Sequence, residues 1–297
     1  MSRPQLWMLH GPTASGKTAL AIALAQALRA PIVNCDARQL YRELSIGVAR
    51  PSEEELAAAE HWGIASHSIH APLTAMSYAQ WARPIVQNLL TQHGNVIVVG
   101  GSGLYARALL YAWDALPAAD PALRAELEAQ WQQDPKALQA QLQALDPLYA
   151  AEADLQNSRR VIRALEIITL TGTPYSAQRT QEKAAQPYFQ DTDLREWTIW
   201  PDMNQLTMRI QERTQQMLSE GLREEAMALA SFHHLPAMQT VGYREFYAHP
   251  KATEPELHAL IATHTRQYAK RQCTWIQKQP HVQRVPMGVH VDALLRS

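Results

Sequence analysis

Leu6–Leu28 reads LWMLHGPTASGKTALAIALAQAL. The apolar run 6–9 predicts a buried strand, and the Ala- and Leu-rich segment after residue 18 predicts a helix. Between them, residues 11–18 match the pattern G-x-x-x-x-G-K-[ST] in the strand–loop–helix setting that this pattern requires. A turn of this kind exposes successive backbone N–H groups beside a helix N-terminus, and together they form an anion site.

This loop predicts a site for phosphate groups. Lys17 adds a mobile cation for the outer phosphate, and the hydroxyl of Thr18 is a suitable ligand for Mg²⁺. The alternative, a glycine-rich turn with a surface lysine, does not explain why pattern and setting agree. The loop specifies a polyphosphate or a diphosphate without indicating which. The residues predicted to bind it are Gly11, Pro12, Thr13, Ala14, Ser15, Gly16, Lys17 and Thr18.

Composition and charge limit the classes to which the chain can belong. Its 297 residues suit one large domain with an inserted or appended piece, and 46% hydrophobic residues allow a substantial core. A net charge of −1 argues against binding of nucleic acid by bulk charge alone, although a local basic face is still allowed. Cys35 and Cys273 indicate neither a disulfide framework nor a zinc site. The lack of a signal peptide or membrane-spanning pattern predicts a soluble, cytoplasmic protein without membrane contacts.

Three further segments have the pattern of buried parallel strands. They are residues 31–36, 95–99 and 197–200, and they predict an α/β fold with a P-loop NTPase-like parallel sheet flanked by helices. Asp36 ends the second strand, so we expect its carboxylate near the phosphate loop. The strand at 95–99 ends in a Gly-Gly-Ser-Gly turn, where the usual nucleotide machinery has an Asp for Mg²⁺. This turn predicts another close approach of backbone to a ligand.

Residues 116–184 differ in composition from the rest of the chain. They are rich in Ala, Gln, Leu and Glu and lack strand patterns, which predicts a small helical insertion domain between the core segments 1–115 and 185–297. Within it, Arg159, Arg160 and Arg163 lie on adjacent turns of a predicted helix. This cluster is either a solvated face or a contact for a phosphate backbone.

The C-terminal third carries further basic residues. Arg209 and Arg213 lie on one face of a helix predicted over 203–219. The stretch between Leu257 and Val291 has no acidic residue, a local charge of +5, and aromatic residues interleaved with its cations. One basic helix alone is more typical of a solvated face. Two basic clusters together with a phosphate loop favour RNA as a partner.

Four histidines, at positions 61, 67, 70 and 93, suggest a metal site at first sight. Their spacings match no standard set of ligands, and Pro72 breaks any helix through them. We therefore expect ordinary loop or packing histidines.

Seven motifs, taken together and in order, resemble those of the tRNA dimethylallyltransferases, which prenylate the adenosine next to the anticodon. They are GPTASGKT at 11–18, DARQLYR at 36–42, GGSGLY at 100–105, RRVIRALEI at 159–167, RTQQMLSEGL at 213–222, TVGYRE at 240–245 and TRQYAKRQCTW at 265–275. The resemblance covers nearly the whole chain and implies a bacterial form. The implied reaction transfers the dimethylallyl group from dimethylallyl diphosphate to the N6 amine of the adenosine 3′ to the anticodon. It implies Mg²⁺ as cofactor and the anticodon stem–loop of tRNA as partner. We expect a monomer.

The same resemblance implies catalytic residues. Thr13, Lys17 and Thr18 would contact the diphosphate with Mg²⁺, Thr18 as the metal ligand. Arg213 would add a cation from a later helix, and Asp36 would accept a proton from the adenine amine. The implied catalytic set is Asp36, Thr13, Lys17 and Arg213.

The resemblance also implies a set of tRNA contacts. The family usually has Thr where Ser102 stands, so the hydroxyl is kept, and Ser where Ala37 stands, so a hydroxyl is lost. We therefore expect no hydroxyl contact from the side chain at position 37. The implied contacts are Asp36, Ala37, Arg38, Gln39, Ser102, Arg124, Arg159, Arg160, Val161, Ile162, Arg163, Gln239, Thr240, Val241, Gly242, Tyr243, Arg244, Lys270, Arg271, Gln272, Cys273, Thr274, Trp275, Ile276 and Gln277.

Two other functions share part of this pattern. A small-molecule or nucleoside kinase has the same loop and fold, and it predicts phosphate transfer from ATP without a need for the basic terminal helix. A non-enzymatic RNA-binding protein with a degenerate loop is the second alternative. Intact Lys17, Thr18 and Asp36 argue against it.

Overall fold

Six parallel strands form the sheet at the centre of the computed structural model, which describes residues 3–112, 114, 116–179 and 186–296. The strands are β1 Gln5–His10, β2 Ile32–Asn34, β3 His61–Trp62, β4 Asn95–Gly100, β5 Asp193–Trp200 and β6 Gln283–Pro286. They pair in the order β3-β2-β4-β1-β5-β6, and every pairing is parallel. Because all strands point the same way, the loops that follow β1, β2 and β4 meet at one edge of the sheet.

The central strands are apolar on both faces because helices cover both sides of the sheet. Met8 and Val98 belong to a buried cluster on one face, and Leu9 and Ile97 belong to a second cluster on the other. Leu6 of β1 stands opposite Val96 of β4, so the side chains of the two strands alternate in step.

The described helices are α1 Lys17–Leu28, α2 Glu53–Ala57, α3 Ala75–His93, α4 Gly103–Leu110, α5 Pro121–Gln133, α6 Pro135–Leu145, α7 Pro147–Glu152, α8 Ser158–Thr171, α9 Met203–Ser219, α10 Leu222–Ala228, α11 Arg244–Ala248, α12 Glu254–Gln277 and α13 Asp292–Leu295. The helix predicted over residues 203–219 has these bounds in the structure. The α1 helix packs on the cluster of Leu9, whereas α3 and α4 pack on the cluster of Met8.

The α3 helix begins with a capping box. The cap is Thr74, whose hydroxyl oxygen accepts a hydrogen bond from the Ser77 N–H at 3.1 Å. The Ser77 hydroxyl oxygen in turn accepts one from the Thr74 N–H at 2.8 Å. This reciprocal capping box satisfies two backbone donors, so Ser77 belongs to the first helical turn.

Two strands, β3 and β6, were not predicted from the sequence. The two residues of β3 pair with Ile32 and Val33 of β2. In β6, Val285 alone is buried among four residues. Strands this short carry too few apolar positions to establish a period, and the partner strand defines them instead.

The chain divides into two compact units. One is Met1–Tyr111 with Pro187–Ser297, and the other is Ala112–Gln186. The predicted domain borders fall at residues 115, 184 and 185, which lie outside the described ranges. Those borders stay a prediction.

The smaller unit contains α5 to α8, and three of these helices begin with the dipeptide Asp-Pro. Asp120, Asp134 and Asp146 each accept a backbone N–H as the N-cap, and a proline occupies the first helical position. Leu142 and Leu165 lie fully buried in the core that these helices share. Each start is thus specified by two adjacent residues of the sequence.

Metal-ligating side chains are dispersed over the described residues, where no group of three or more His, Cys, Asp or Glu could hold an ion. The ring of His67 packs edge-on against Trp81 at 4.9 Å. Cys35 and Cys273 are both buried free thiols. Among the residues that the structure describes, every helix is too short or too polar to cross a membrane.

Candidate active site

The phosphate loop between β1 and α1 presents an open helix N-terminus. Gly16 is the N-cap of α1, no side chain caps this end, and the first turn holds no acidic residue. Ala14 and Gly16 adopt left-handed conformations with φ of +62° and +89°, which arrange neighbouring N–H groups into a concave donor site. The hydroxyl of Ser15 is buried and has no hydrogen-bond partner among the described residues. This end of α1 is therefore suited to an anion.

Lys17 is the first residue of α1, and its ammonium group loses its proton more easily than that of an exposed lysine. Burial lowers the pKa of Lys17 to about 8, while the nearby Asp36 raises it and Arg213 lowers it further. An anion in the loop would favour the charged form. Binding of an anion is thus coupled to protonation of Lys17 at alkaline pH.

Two arginines of α9 reach the same loop. Arg213 donates from Nη2 to the hydroxyl of Thr13. Burial lowers the pKa of Arg213, and Asp36 opposes that effect. Arg209 lies over Gly16, since its Nη1 is 3.3 Å from the place of a Cβ at that glycine. The face predicted for these two arginines therefore points at the phosphate loop.

Asp36 follows β2 and lies within electrostatic reach of the loop. Its Oδ1 accepts the Arg38 N–H at 2.9 Å, and its own N–H donates to Asn34 Oδ1 at 3.1 Å. Over the ranges that the structure describes, Oδ2 accepts no hydrogen bond. The carboxylate raises the pKa of Lys17 and of Arg213. One carboxylate oxygen thus stays open beside the cations of the loop.

Two hydroxyl groups stand next to this carboxylate. Ser102 accepts the Ala37 N–H at 2.9 Å and lies close enough to Tyr268 to influence its phenol. Burial raises the pKa of Tyr268 to about 12, and the charge of Asp36 adds to that effect. The phenol therefore stays protonated at neutral pH. The hydroxyl of Ser102 has a structural partner at position 37 even though the side chain there is Ala.

The glycine turn after β4 accommodates side chains of α12 at two positions, and the approach of a ligand to its backbone stays a prediction. A Cβ at Gly101 would lie 2.2 Å from Nε2 of Gln272, and one at Gly103 would lie 2.4 Å from the Trp275 ring. The space that these glycines leave open is filled by the protein itself.

The run 270–277 on α12 divides by helix face. Exposed to solvent are Lys270, Arg271, Thr274 and Gln277, and Trp275 is partly exposed. Buried are Gln272, Cys273 and Ile276. A buried side chain offers no surface to a partner, so the prediction of tRNA contacts along the whole run is too broad. The 3.6-residue period of the helix is the physical reason.

The segment 239–245 is held mainly by hydrogen bonds within the protein. Tyr243 is fully buried and donates its hydroxyl to Glu225. Glu245, also buried, accepts the Gly242 N–H at 2.8 Å and Nε of Arg244 at 2.9 Å. The side chain of Tyr243 is therefore a packing group and not a contact for RNA. Exposed or partly exposed are Gln239, Thr240, Val241 and Arg244.

In the smaller unit, a cavity of about 710 Å³ lies between α5 and α8. Its lining includes Arg124, Trp131, Arg159, Ile162 and Arg163. Arg160 is exposed nearby, and Arg38 and Gln39 in the larger unit are partly exposed. Val161 is fully buried and Ile162 nearly so, since both belong to the core of this unit. The Val161 side chain therefore has no exposed surface for the predicted contact with tRNA, and the Ile162 side chain has little.

Two of the arginines in this lining are oriented by a buried carboxylate. Glu166 is fully buried and accepts Nη2 of Arg124 at 2.5 Å and Nη1 of Arg163 at 2.7 Å. It also accepts the Asp120 N–H at 2.9 Å. The pairing holds both guanidinium groups at the cavity wall.

A second buried carboxylate lies beside β1, the strand that leads into the phosphate loop. Glu196 on β5 is 2.9 Å from Nε2 of His10 and 3.1 Å from Nε2 of His281, and the Tyr111 hydroxyl donates to it. Burial would raise the pKa of Glu196, but these hydrogen bonds lower it to about 2. The strand that leads into the loop is thus anchored by an ionised carboxylate.

Comparison with known proteins gives the chain its family. The family model of IPP transferase matches residues 39–279. The chain is 37% identical over 275 residues to a tRNA dimethylallyltransferase of Cytophaga hutchinsonii, a match that spans 92% of this chain and 89% of that relative. It is 39% identical over 284 residues to one of Chlorobium phaeobacteroides, spanning 92% and 88%. The chain belongs to the IPP transferase family.

Solved structures share the fold of this family member. A tRNA isopentenylpyrophosphate transferase of Bacillus halodurans aligns with a TM-score of 0.69 and 31% identity, covering 99% of this chain and 94% of that one. A eukaryotic dimethylallyltransferase aligns with a TM-score of 0.80 over 96% of this chain and 74% of its own, and at 22% identity it supports the fold alone. The predicted fold class, a P-loop NTPase-like parallel sheet with a helical insertion, is confirmed.

Three residues of this IPP transferase lie at the site but were not assigned to it correctly from the sequence. Arg209 and Tyr268 were noted as a helix-face cation and an interleaved aromatic residue, without a place at the loop. Gln272 was expected to contact tRNA, yet it is buried against two loops of the site. The spacing of Arg209 and Arg213 was a usable signal, because residues four apart share a helix face.

Proposed function

We propose that this IPP transferase moves the dimethylallyl group of dimethylallyl diphosphate onto the exocyclic N6 amine of the adenosine 3′ to the anticodon in tRNA, with release of diphosphate. One observation carries the proposal. A carboxylate with an open oxygen, Asp36, shares its surroundings with an uncapped phosphate loop and the half-buried cations Lys17 and Arg213. A leaving anion and a proton acceptor are what an amine prenylation requires.

The phosphate loop takes the diphosphate end of the donor. As the allylic C–O bond breaks, its electron pair moves to the diphosphate, whose negative charge grows. Open N–H groups of the loop, with Lys17, Arg213 and Arg209, are fixed in place before that charge develops. Preorganised donors of this kind commonly supply the largest part of catalysis.

Mg²⁺ fits the donor set of this loop. The ion commonly keeps several waters and binds one or two protein oxygens together with the phosphates of a substrate. Thr18 stands on the first turn of α1, is partly exposed, and has a hydroxyl without a hydrogen bond in the described ranges. It would hold the ion, and the ion would supply positive charge to the departing diphosphate.

Asp36 receives the proton of the acceptor. The lone pair of the adenine N6 forms a bond to the allylic carbon, and the nitrogen then loses one proton to Oδ2. Oδ1 is already engaged by the Arg38 N–H at 2.9 Å, which fixes the orientation of the carboxylate. The protonated Tyr268 and the hydroxyl of Ser102 line the same place and can hydrogen-bond the base. The adenine has to leave the anticodon stack to arrive there.

Exposed cations supply the attraction for tRNA. Lys270 and Arg271 lie on the open face of α12, and Arg159 and Arg160 are exposed on α8. Such contacts position a backbone without selecting a sequence. Local basic patches, one on each compact unit, thus reconcile RNA binding with a net charge of −1.

Transfer of label tests the function. Purified protein is incubated with Mg²⁺, tRNA and dimethylallyl diphosphate labelled in the prenyl group, without ATP, and label in tRNA is counted. Label should enter tRNA and should not enter a tRNA with guanosine in place of the target adenosine. Phosphate transfer from ATP without transfer of the prenyl label would instead establish the kinase alternative.

A cytoplasmic location and a monomeric state remain part of this proposal. Size-exclusion chromatography with light scattering measures the mass of the protein in solution. A mass near 33.3 kDa supports the monomer, and about twice that value refutes it.

A further inference from the structure

Gln272 joins the two loops of the active site through its carboxamide. Its Oε1 accepts the Thr13 N–H at 2.9 Å, and its Nε2 donates to the Gly101 carbonyl at 2.8 Å. The side chain reaches these groups from the buried face of α12 and is 7% exposed. Both functional atoms are therefore occupied by protein backbone.

The two partners fix which way the carboxamide points. A backbone N–H needs an acceptor and a backbone carbonyl needs a donor, so the oxygen must face Thr13 and the nitrogen must face Gly101. A Cβ at position 101 would lie 2.2 Å from Nε2 of Gln272, so the carboxamide can keep this placement only beside a glycine. Only a side chain that both accepts and donates, as glutamine does, matches this pair of backbone groups.

Thr13 is consequently held at two points. Gln272 binds its backbone N–H, and Arg213 donates to its hydroxyl. Its orientation sets the position of the loop N–H groups that follow. These groups are the ones that receive the diphosphate in the proposed reaction.

We propose that Gln272 is a positioning residue for the diphosphate site and makes no contact with tRNA. The proposal rests on the proposed function, since it assigns the loop a diphosphate. It differs from the expectation implied by the family resemblance, which counted Gln272 among the tRNA contacts at 270–277. Loss of the carboxamide should weaken binding of diphosphate and leave binding of tRNA intact.

Two variants and one control test this assignment. Gln272→Ala removes both hydrogen bonds. Gln272→Glu keeps an acceptor for Thr13 but replaces the donor to Gly101 with a carboxylate. Gln267→Glu is the matched control, because it makes the same change on an exposed position of the same helix.

The primary measurement is calorimetric titration with inorganic pyrophosphate and Mg²⁺, which does not depend on turnover. Both Gln272 variants should bind pyrophosphate at least about tenfold more weakly than wild type, because a buried backbone group loses its partner. Affinity for an anticodon stem–loop RNA, measured by fluorescence anisotropy, should stay within about twofold. Gln267→Glu should keep wild-type affinity for pyrophosphate.

The pH profile of Gln272→Glu separates positioning from general damage. A protonated carboxyl group can donate to the Gly101 carbonyl again, and a carboxyl facing that oxygen has a raised pKa. The ratio of variant to wild-type pyrophosphate affinity should therefore recover as pH falls from 8 to 5.5. Gln272→Ala should show no such recovery.

Three results overturn the proposal. They are unchanged pyrophosphate affinity, loss of RNA affinity alone, and equal loss of both affinities with a flat pH ratio. Failure of the proposed function is a separate result. Wild-type protein that does not transfer the prenyl label refutes that function, whereas the pyrophosphate titration still decides the role of Gln272.

Discussion

Raising the pH should weaken donor binding through a single side chain, Lys17. Burial holds the pKa of this ammonium group at about 8, far below the 10.5 of an exposed lysine. Arg213 acts in the same direction, and Asp36 opposes both. The free loop therefore begins to lose the charge of Lys17 within a pH range where most proteins are stable.

The size of the effect follows from that pKa. At pH 7 about nine tenths of the free protein carries a charged Lys17, and at pH 9 about one tenth does. A bound diphosphate keeps the ammonium charged through attraction. Apparent affinity should hence fall about tenfold between pH 7 and pH 9, and binding at pH 9 should take up about 0.9 proton per site.

Calorimetry measures both quantities. Pyrophosphate with Mg²⁺ is titrated at pH 7 and pH 9 in pairs of buffers with different ionisation enthalpies, which yields the number of protons taken up. Lys17→Arg is the control, because a guanidinium stays charged throughout this range. Its affinity should change little between the two pH values, apart from ionisation of the ligand, which is common to both proteins.

A flat affinity and no uptake of protons by wild type at pH 9 would refute this account. Lys17 would then be charged in the free loop, and desolvation could not be the main influence on it. Equal pH dependence in wild type and Lys17→Arg would show that another group titrates.

Three further predictions follow from named side chains. Asp36→Asn should lower kcat about 10²- to 10⁴-fold in single-turnover assays, while the Kd for tRNA changes less than about twofold; normal turnover would exclude Asp36 as the base. Changing Lys270 and Arg271 to Gln should reduce the slope of log affinity against log salt by about one per lost phosphate contact; an unaltered slope would place both in solvent. Glu196→Gln should reduce the free energy of unfolding by about 1–3 kcal/mol at pH 7 in urea titrations. Because hydrogen bonds, against burial, hold the pKa of Glu196 at about 2 in the folded protein, this difference should shrink as pH falls from 4.5 towards 2; a constant difference would contradict the assigned charge.

Local sequence patterns were enough to predict the phosphate loop and the place of Asp36 beside it. The strand, loop and helix from Gln5 to Leu28 follow from one motif whose parts are adjacent in sequence. Asp36 was placed beside the loop because parallel strands end at a common edge. Both arguments use contacts that sheet geometry imposes on any chain with this pattern.

The role of α12 could not be predicted in the same way. Its sequence shows an exposed basic face, and the family resemblance placed Gln272, Cys273 and Ile276 among the tRNA contacts of the same helix. What decides their burial is docking on the glycines at 101 and 103, about 170 residues earlier. The hydrophobic periodicity of residues 254–277 does not identify the segment of the chain on which this helix packs. For the same reason β6, whose four residues become a strand only beside β5, was missed.

Thr13 shows why a local motif is insufficient for the complete donor site. The loop itself is specified within eight residues. The two groups that orient Thr13 come from Arg213, 200 residues later, and from Gln272, 259 residues later. A fragment containing β1, the loop and α1 would have the motif but neither of these contacts. Because the loop alone offers N–H groups and Lys17 to any phosphate, selection of a diphosphate next to a base must depend on α9 and α12, which bring the additional cations and fix the loop.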